Sequence, residues 1–216
     1  MTPAALKHLA DADPIMRRLI AEIGECLLKP ETRRHPFHSL VRSVAHQQLH
    51  GKAAETILGR FKKLFPGRRF PRAQDLATVT DEQLRACGFS FAKIRAIRDI
   101  AEKTLSGVVP ASRHFAKLSD DEIVARLTEV RGVGRWTVEM LLIFQLGRPD
   151  VLPVDDFGVR SGYSTAYKLK KMATAKELRA FGELWKPHRT TAAWYLWRAA
   201  DAASVSKKAS PAKKKK

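Results

Sequence analysis

Two acidic residues and one glycine-rich turn are the parts of this sequence that could do chemistry. Asp155 and Asp156 follow Val151-Leu152-Pro153-Val154 and precede Phe157-Gly158-Val159-Arg160, where a helix should begin because Pro153 forbids one earlier. The chain carries 40 Lys+Arg against 22 Asp+Glu, a formal charge of +18 with pI ≈ 10.3. Such an excess calls for a polyanionic partner, most simply nucleic acid. A carboxylate beside a polyanion repels it and needs a reason. One reason is cleavage of an N-glycosidic bond in a flipped-out nucleotide, where a preplaced carboxylate stabilises the cationic sugar C1′. The other is an ordinary Asp N-cap, worth about 1 kcal/mol to the helix. From these residues alone both readings stand.

The turn lies in Leu127 to Leu142, with Val130-Arg131-Gly132-Val133-Gly134-Arg135-Trp136-Thr137 at its centre. A helix pattern ends near Val130 and another starts near Arg135. Glycine permits φ > 0 and lets a polyanion approach the backbone. The N–H groups and positive dipole end of the second helix make an anion site, to which Arg135 adds charge. Such a hairpin grips a phosphate without reading bases. It also serves as a plain corner in a helical bundle.

The elements that must position these residues read as helices. Ile15, Leu19, Ile20 and Ile23 form one stripe; Leu40, Val41, Val44, Ala45 and Leu49 form another that continues through Ala53, Ile57, Leu58 and Phe61. Ile94, Ile97, Ile100 and Ala101 form a third. Capping boxes open at Ser119-Asp120-Asp121-Glu122 and Thr174-Ala175-Lys176-Glu177, and Thr80 caps a short helix. No alternating strand pattern appears, so the fold class is all-α. The segment 204–216 lacks periodicity and is expected to be a disordered Lys-rich tail. It holds six lysines, and the body keeps +12 without it, so the charge is not an appendage.

Several classes are excluded. No apolar run is long enough to span a bilayer, since Val138 to Leu146 contains Glu139 and Gln145. Met1 to Ala10 lacks a signal-peptide apolar block. Cys26 and Cys87 are too few for a disulfide framework, a zinc site or an iron-sulfur cluster, and no Walker-type loop is present. An intracellular protein is expected, cytoplasmic in a bacterial nucleoid or nuclear in a eukaryote.

Together, the hairpin at 127–139 and Leu152 to Arg160 resemble the helix-hairpin-helix DNA glycosylase superfamily, and more narrowly its 3-methyladenine DNA glycosylase II (alkylpurine) branch. Ser43 to Ala54, Cys87 to Lys93 and Trp185 to Trp197 match the same branch in the same order. The resemblance runs from about Pro14 to Asp201. It implies two helical lobes with a DNA-binding cleft, in a domain over 1–203: a central lobe of about 34–155 and another from about 1–33 plus 156–203. It implies that Asp156 is the catalytic carboxylate and Asp155 its helix-start neighbour, a pair whose roles could be exchanged.

In strand-cutting branches a lysine follows the hairpin arginine and forms a Schiff base with C1′. Trp136 stands there, so the resemblance implies a monofunctional enzyme that leaves an abasic site. N3- and N7-alkylated purines are cationic, and aromatic faces attract cations. Trp136, Met140, Phe157 and Trp197 are the candidate base-pocket residues, while Trp185 and Trp194 read as core. Gln48 and His50 are the candidate plug for the gap left by the flipped base, with Leu49 as an inward anchor and Ser90 as the opposite-strand wedge. Lys52, Gly132, Gly134, Arg135 and Thr137 complete the expected DNA contacts. The resemblance further implies no required cofactor, and a Na+ or K+ ion on the backbone carbonyls of Thr128, Val130 and Val133. The expected partner of this monomer is double-stranded DNA containing damaged bases. Rival readings are a glycosylase for deaminated or oxidised bases and a non-catalytic helix-hairpin-helix DNA-binding protein.

Overall fold

The computed structural model describes residues 2–49 and 51–209, with side chains through 204. Among these residues there is no strand, and the chain is a succession of short helices. They are α1 (Pro3–Ala12), α2 (Pro14–Ile23), α3 (Pro36–His46), α4 (Gly51–Lys63), α5 (Asp81–Cys87), α6 (Phe91–Leu105), α7 (Ser112–Phe115), α8 (Asp120–Leu127), α9 (Arg135–Phe144), α10 (Phe157–Ala166), α11 (Ala175–Phe181) and α12 (Arg189–Ala209). The 3-10 turns Ala73–Thr78 and Gly182–Trp185 join them. No helix among the described residues is long and apolar enough to cross a membrane.

The helices divide into two compact units, residues 30–146 and the two terminal segments together, up to 29 and from 147 onward. The first expectation to correct is the boundary near 155. Residues 148–151 belong to the terminal unit because they are tied to the start of α12. Arg189 forms a two-pronged ion pair with Asp150 (2.8 and 2.9 Å), and the Thr190 hydroxyl donates to the Arg148 carbonyl at 2.6 Å and accepts the Val151 N–H at 2.9 Å. The second correction concerns the tail. Helix α12 continues past 203 to Ala209, because Ala, Ser and Lys permit helix where nothing apolar demands it. The remaining tail lies outside the described residues.

In the central unit α3 is the core helix. Leu40, Val41, Val44 and Ala45 are fully buried, and α3 packs on α4, α6 and α9. The apolar stripe that reads as continuous from Leu40 to Phe61 is broken after His46, and α4 restarts at Gly51. At the other end of α3, His38 stacks on Phe70 with ring centroids 3.6 Å apart. Burial first, and then the charges of Arg34, Arg42, Lys62 and Arg69, push its imidazole pKa down to about 4. A histidine held neutral in the fold, against about 6.5 when unfolded, contributes stability that is complete above pH 6.5 and lost on acidification toward 4. Thermal melts between those pH values should therefore fall less steeply for His38→Leu than for wild type. Parallel curves would remove this account.

In the terminal unit Asp13 organises the packing. Its carboxylate caps α2 by accepting the N–H groups of Ile15 (2.9 Å) and Met16 (3.2 Å). It also accepts the indole N–H of Trp185 at 2.9 Å and the Tyr167 hydroxyl. Trp185 is fully buried and Trp194 nearly so, as their core reading requires. A buried carboxylate with four donors is strongly held, and removing it strands the buried indole N–H of Trp185 and the half-buried Tyr167 hydroxyl. Asp13→Ala should lower stability by about 3 kcal/mol, checked by urea denaturation. A change below 1 kcal/mol would show that water substitutes for the carboxylate. Both sequence-identified capping boxes form: Ser119 Oγ accepts the Glu122 N–H at 3.3 Å while Glu122 accepts the Ser119 N–H at 2.7 Å, and Thr174 and Glu177 repeat the exchange.

Candidate nucleic-acid interface and active site

The hairpin forms where the glycines predict it. Helix α8 stops at Leu127, Val130 and Val133 bury their side chains, and the Val133 N–H donates to the Val130 carbonyl at 3.0 Å. Gly132 has φ +74°, and a Cβ there would come within 3.0 Å of the Ala96 Cβ. The turn needs glycine on both counts. Gly134 is the N-cap of α9 and has no side chain to cover the first N–H groups, which leaves this end approachable by a phosphate. Arg135 is half-exposed and forms ion pairs with Glu139 at 3.1 Å and Asp121 at 3.8 Å, so part of its charge is already engaged.

Thr137 departs from expectation. Its side chain is 2% exposed, because it lies on the face of α9 that packs inward with Val138 and Leu141. It offers an approaching phosphate only its backbone N–H. Trp136, one position earlier, is 40% exposed, so it is not a core residue of α9. Met140, one turn further on, shares its face. Both line a cavity of about 350 Å³ in the central unit, together with Arg34, Ser39, Arg42, Ser43, His46, Leu141, Phe144 and Gln145. That volume is at the small end of ligand pockets, about 300–1,000 Å³, and suits one base.

The α3 contribution to this cavity was not anticipated. Ser39, Arg42, Ser43 and His46 follow helical spacing beside the apolar stripe, a pattern that a solvated helix face shows equally well. Two arginines would repel a cationic base, but both have carboxylate partners. Arg34 pairs with Glu31, and Arg42 pairs with Glu55, which also meets His46 Nε2 at 3.0 Å. Hydrogen bonding from Arg42 holds the Glu55 pKa below its ordinary value.

Between α3 and α4 the chain makes the loop expected to plug the duplex. Gln48 is exposed and adopts φ +55°, unusual for a residue with a side chain. Leu49 is not an inward anchor: it is 39% exposed, because the helical register that pointed it inward ends at His46. Lys52 is exposed in the first turn of α4. His50 lies outside the described residues. Ser90 is exposed as the N-cap of α6, its hydroxyl accepting the Lys93 N–H at 3.3 Å. Three residues that the sequence did not flag hold these pieces: Gln47, Lys93 and Asp99. Their hydrogen bonds reach backbone atoms, which leave no trace in residue type.

In the terminal unit the two aspartates separate cleanly. Asp155 is exposed. Asp156 is half-buried and is the N-cap of α10, with one oxygen, Oδ1, accepting the Val159 N–H and the Trp197 indole N–H, each at 2.8 Å. The cap reading and the functional reading therefore apply to the same residue. The helix start and the indole fix the carboxylate's orientation through Oδ1. Trp197 is half-buried, and Gly158 makes its approach possible: a Cβ there would come within 2.8 Å of Trp197 Cδ1. Phe157, the first residue of α10, is 72% exposed. The four aromatic and Met candidates thus fall into two groups, Trp136 with Met140 in one unit and Phe157 with Trp197 in the other.

The described residues contain no cluster of three or more His, Cys, Asp or Glu side chains suited to a metal ion. The cation suggested for the hairpin would use carbonyls instead. Thr128, Val130 and Val133 all belong to that turn, and the Val130 oxygen already accepts one N–H, keeping its second lone pair.

Residues 41–187 match the family described as HhH-GPD superfamily base excision DNA repair protein. Across 95% of this chain and 91% of the relative, the sequence is 41% identical to DNA-3-methyladenine glycosylase 1 of Schizosaccharomyces pombe. The structure of that organism's 3-methyladenine DNA glycosylase (Mag1) in complex with abasic DNA superposes with a TM-score of 0.82 at 42% identity, covering 90% of this chain and 95% of the other. A DNA-3-methyladenine glycosidase from Bacillus halodurans gives a TM-score of 0.84 at 35% identity, covering 94% and 92%.

Proposed function

This chain belongs to the HhH-GPD superfamily of base excision DNA repair proteins, and from that membership we propose that it is a monofunctional DNA glycosylase. It releases alkylated purines of the 3-methyladenine and 7-methylguanine type from duplex DNA and leaves an abasic site. The observation that carries the reading is Asp156, a half-buried carboxylate held by the α10 N-terminus and Trp197 in a strongly basic protein. Its relatives are named DNA-3-methyladenine glycosylase and DNA-3-methyladenine glycosidase.

The chemistry follows from the residues. An alkylated purine carries positive charge, so it leaves as a neutral base and needs no strong general acid. As the C1′–N bond breaks, its electron pair goes to the base and C1′ becomes cation-like. The Asp156 carboxylate stabilises that charge. Water then adds to C1′ and its proton passes to solvent. Trp136 offers its face to the cationic base and Met140 offers a polarisable neighbour. Trp136 has no amine, so it cannot form the Schiff base that precedes strand cleavage.

The hairpin turn and the start of α9 hold a backbone phosphate through Gly132, Gly134 and Arg135, and Lys52 adds charge near the plug loop. Gln48 and His50 are the candidates to fill the emptied stack, and Leu49, exposed beside Gln48, joins them. A Na+ or K+ ion on the Thr128, Val130 and Val133 carbonyls would add positive charge opposite the same phosphate. Acting on DNA, the protein works where DNA is, a nucleoid or a nucleus, and as a monomer.

The test is base release. Methylated duplex DNA is incubated with the protein, freed bases are separated by chromatography, and the DNA is examined with and without alkali. Free methylated purine, with strand breaks only after alkali, is the expected result. Intact binding with no base released from alkylated, deaminated or oxidised duplexes would leave a recognition protein. Within the reading, Trp136→Ala should slow release of a cationic purine about tenfold or more, the scale of a desolvated cation–π contact with its packing. Affinity for undamaged duplex should stay within about twofold. An equal loss in both quantities would make Trp136 a general DNA contact.

A further inference from the structure

Helix α3 ends at His46, and its last carbonyls have lost their intrahelical partners. The ammonium of Lys93, in the first turn of α6, donates to two carbonyls there, those of Ala45 and Gln47, each at 2.9 Å. A cation at this end also suits the helix dipole. Burial lowers the Lys93 pKa, in keeping with an ammonium partly withdrawn from water. The Gln47 side chain then reaches across to the hairpin, where its Nε2–H donates to the Gly132 carbonyl at 2.9 Å. The neighbouring Arg131 N–H donates to Asp99 Oδ2 at 2.7 Å. Asp99 and Lys93 are both residues of α6, and Ala96 between them lies under Gly132. One helix therefore supports both the end of α3 and the hairpin turn, and one side chain joins these two directly. Just beyond Gln47, Gln48 takes its left-handed backbone conformation, and both Gln48 and Leu49 are exposed. A left-handed non-glycine residue costs about 1 kcal/mol or more and persists only where its surroundings fix it.

We propose that Gln47 is a positioning residue for base flipping: its amide ties the plug loop to the phosphate-holding turn, so that seating the hairpin on the backbone also aims Gln48 and Leu49, with Lys93 as the anchor of the loop. This rests on the glycosylase reading of the hairpin. Gln47 itself touches neither the base nor the sugar in this role. Its donor N–H is the feature that matters, since Gly132 presents an acceptor.

The experiment replaces Gln47 by Leu, which keeps the bulk and loses the donor, and by Glu, which puts an acceptor against the carbonyl. Each protein is melted, titrated with undamaged duplex at several salt concentrations, and mixed with duplex carrying 2-aminopurine beside the lesion, whose fluorescence reports unstacking. Single-turnover base release is measured at saturating enzyme. For both variants, the fluorescence change and the saturated release rate should fall about fivefold to tenfold, the scale of one hydrogen bond. Undamaged-duplex affinity and its salt slope should hold within about twofold for Gln47→Leu, while Gln47→Glu should bind more weakly because it adds a negative charge near a polyanion.

Three outcomes would overturn the proposal. Full flipping by Gln47→Leu would show that side-chain bulk, as in a plug, is what matters. Weaker binding with unchanged flipping of the bound duplex would reduce Gln47 to a support of the hairpin, and no change at all would make it a bystander. If the wild type releases no base but still unstacks 2-aminopurine, the glycosylase reading fails while the fluorescence comparison still decides the role of Gln47.

Discussion

Asp156→Asn should lower single-turnover base release from methylated duplex by two to three orders of magnitude, on the order of 3–4 kcal/mol of lost transition-state stabilisation. The substitution removes the charge and little else. Asn is as good an N-cap as Asp, and its side-chain oxygen can still accept the Val159 and Trp197 N–H groups that Oδ1 accepts. The thermal midpoint should therefore stay within a few degrees. Affinity for undamaged duplex should hold or improve slightly, because a negative charge near a polyanion has gone. Asp156→Ala is the contrasting variant: it loses the charge and also the cap, about 1 kcal/mol, and leaves the Trp197 indole without this acceptor. Asp155→Asn should release base like wild type, since Asp155 is exposed. Base chromatography, melting and gel retardation on the three variants separate these effects. Wild-type release from Asp156→Asn, or its loss from Asp155→Asn, would move the carboxylate's role elsewhere.

Much of this arrangement is written locally. The hairpin, the capping boxes and the Asp156 helix start depend on residues within a few positions of one another, so type and spacing reveal them. What depends on distant partners is hidden. Asp156 and Trp197 are 41 positions apart, and nothing in either residue names the other. Lys93 and Asp99 act through backbone atoms of Ala45, Gln47 and Arg131, which any sequence supplies. The polar flank of α3 lines a cavity because α9 packs beside it, and the same pattern would serve in water. The break after His46 was masked because Leu49 and Ala53 continue the apolar spacing by chance. Leu49 was consequently expected inward, and the structure leaves it exposed. Helix α1 escaped notice for the opposite reason: Ala5 and Leu9 alone make too thin a stripe to stand out.

The largest expected loss of stability is at a residue with no side chain. Helices α10 and α12 make the most extensive helix contact in the terminal unit, and Gly158 and Gly162, one turn apart, lie where α12 crosses. A Cβ on Gly162 would come within 1.8 Å of the Leu196 carbonyl oxygen and 2.6 Å of its carbon. Those are backbone atoms of a buried helix, so no rotamer change relieves the clash and the helices must separate. Gly162→Ala gains about 1 kcal/mol of helix propensity, which does not offset overpacking of about 3 kcal/mol or more against a rigid partner. The thermal midpoint should fall by about 5–10 °C. Separation also moves Trp197 away from Asp156, so base release should drop at temperatures where the variant is still folded.

Gly158→Ala provides the comparison. Its Cβ would meet the Trp197 ring at 2.8 Å and Asp156 Oδ1 at 3.1 Å, side-chain atoms that can move. It should lose less stability than Gly162→Ala but disturb the carboxylate more directly, giving a larger fall in base release for each degree of melting lost. Melting curves and single-turnover release on the two variants test this ordering. If Gly162→Ala melts like wild type, close approach of α10 and α12 is not what fixes the site; if the two variants lose release in proportion to stability, Trp197 does not orient Asp156.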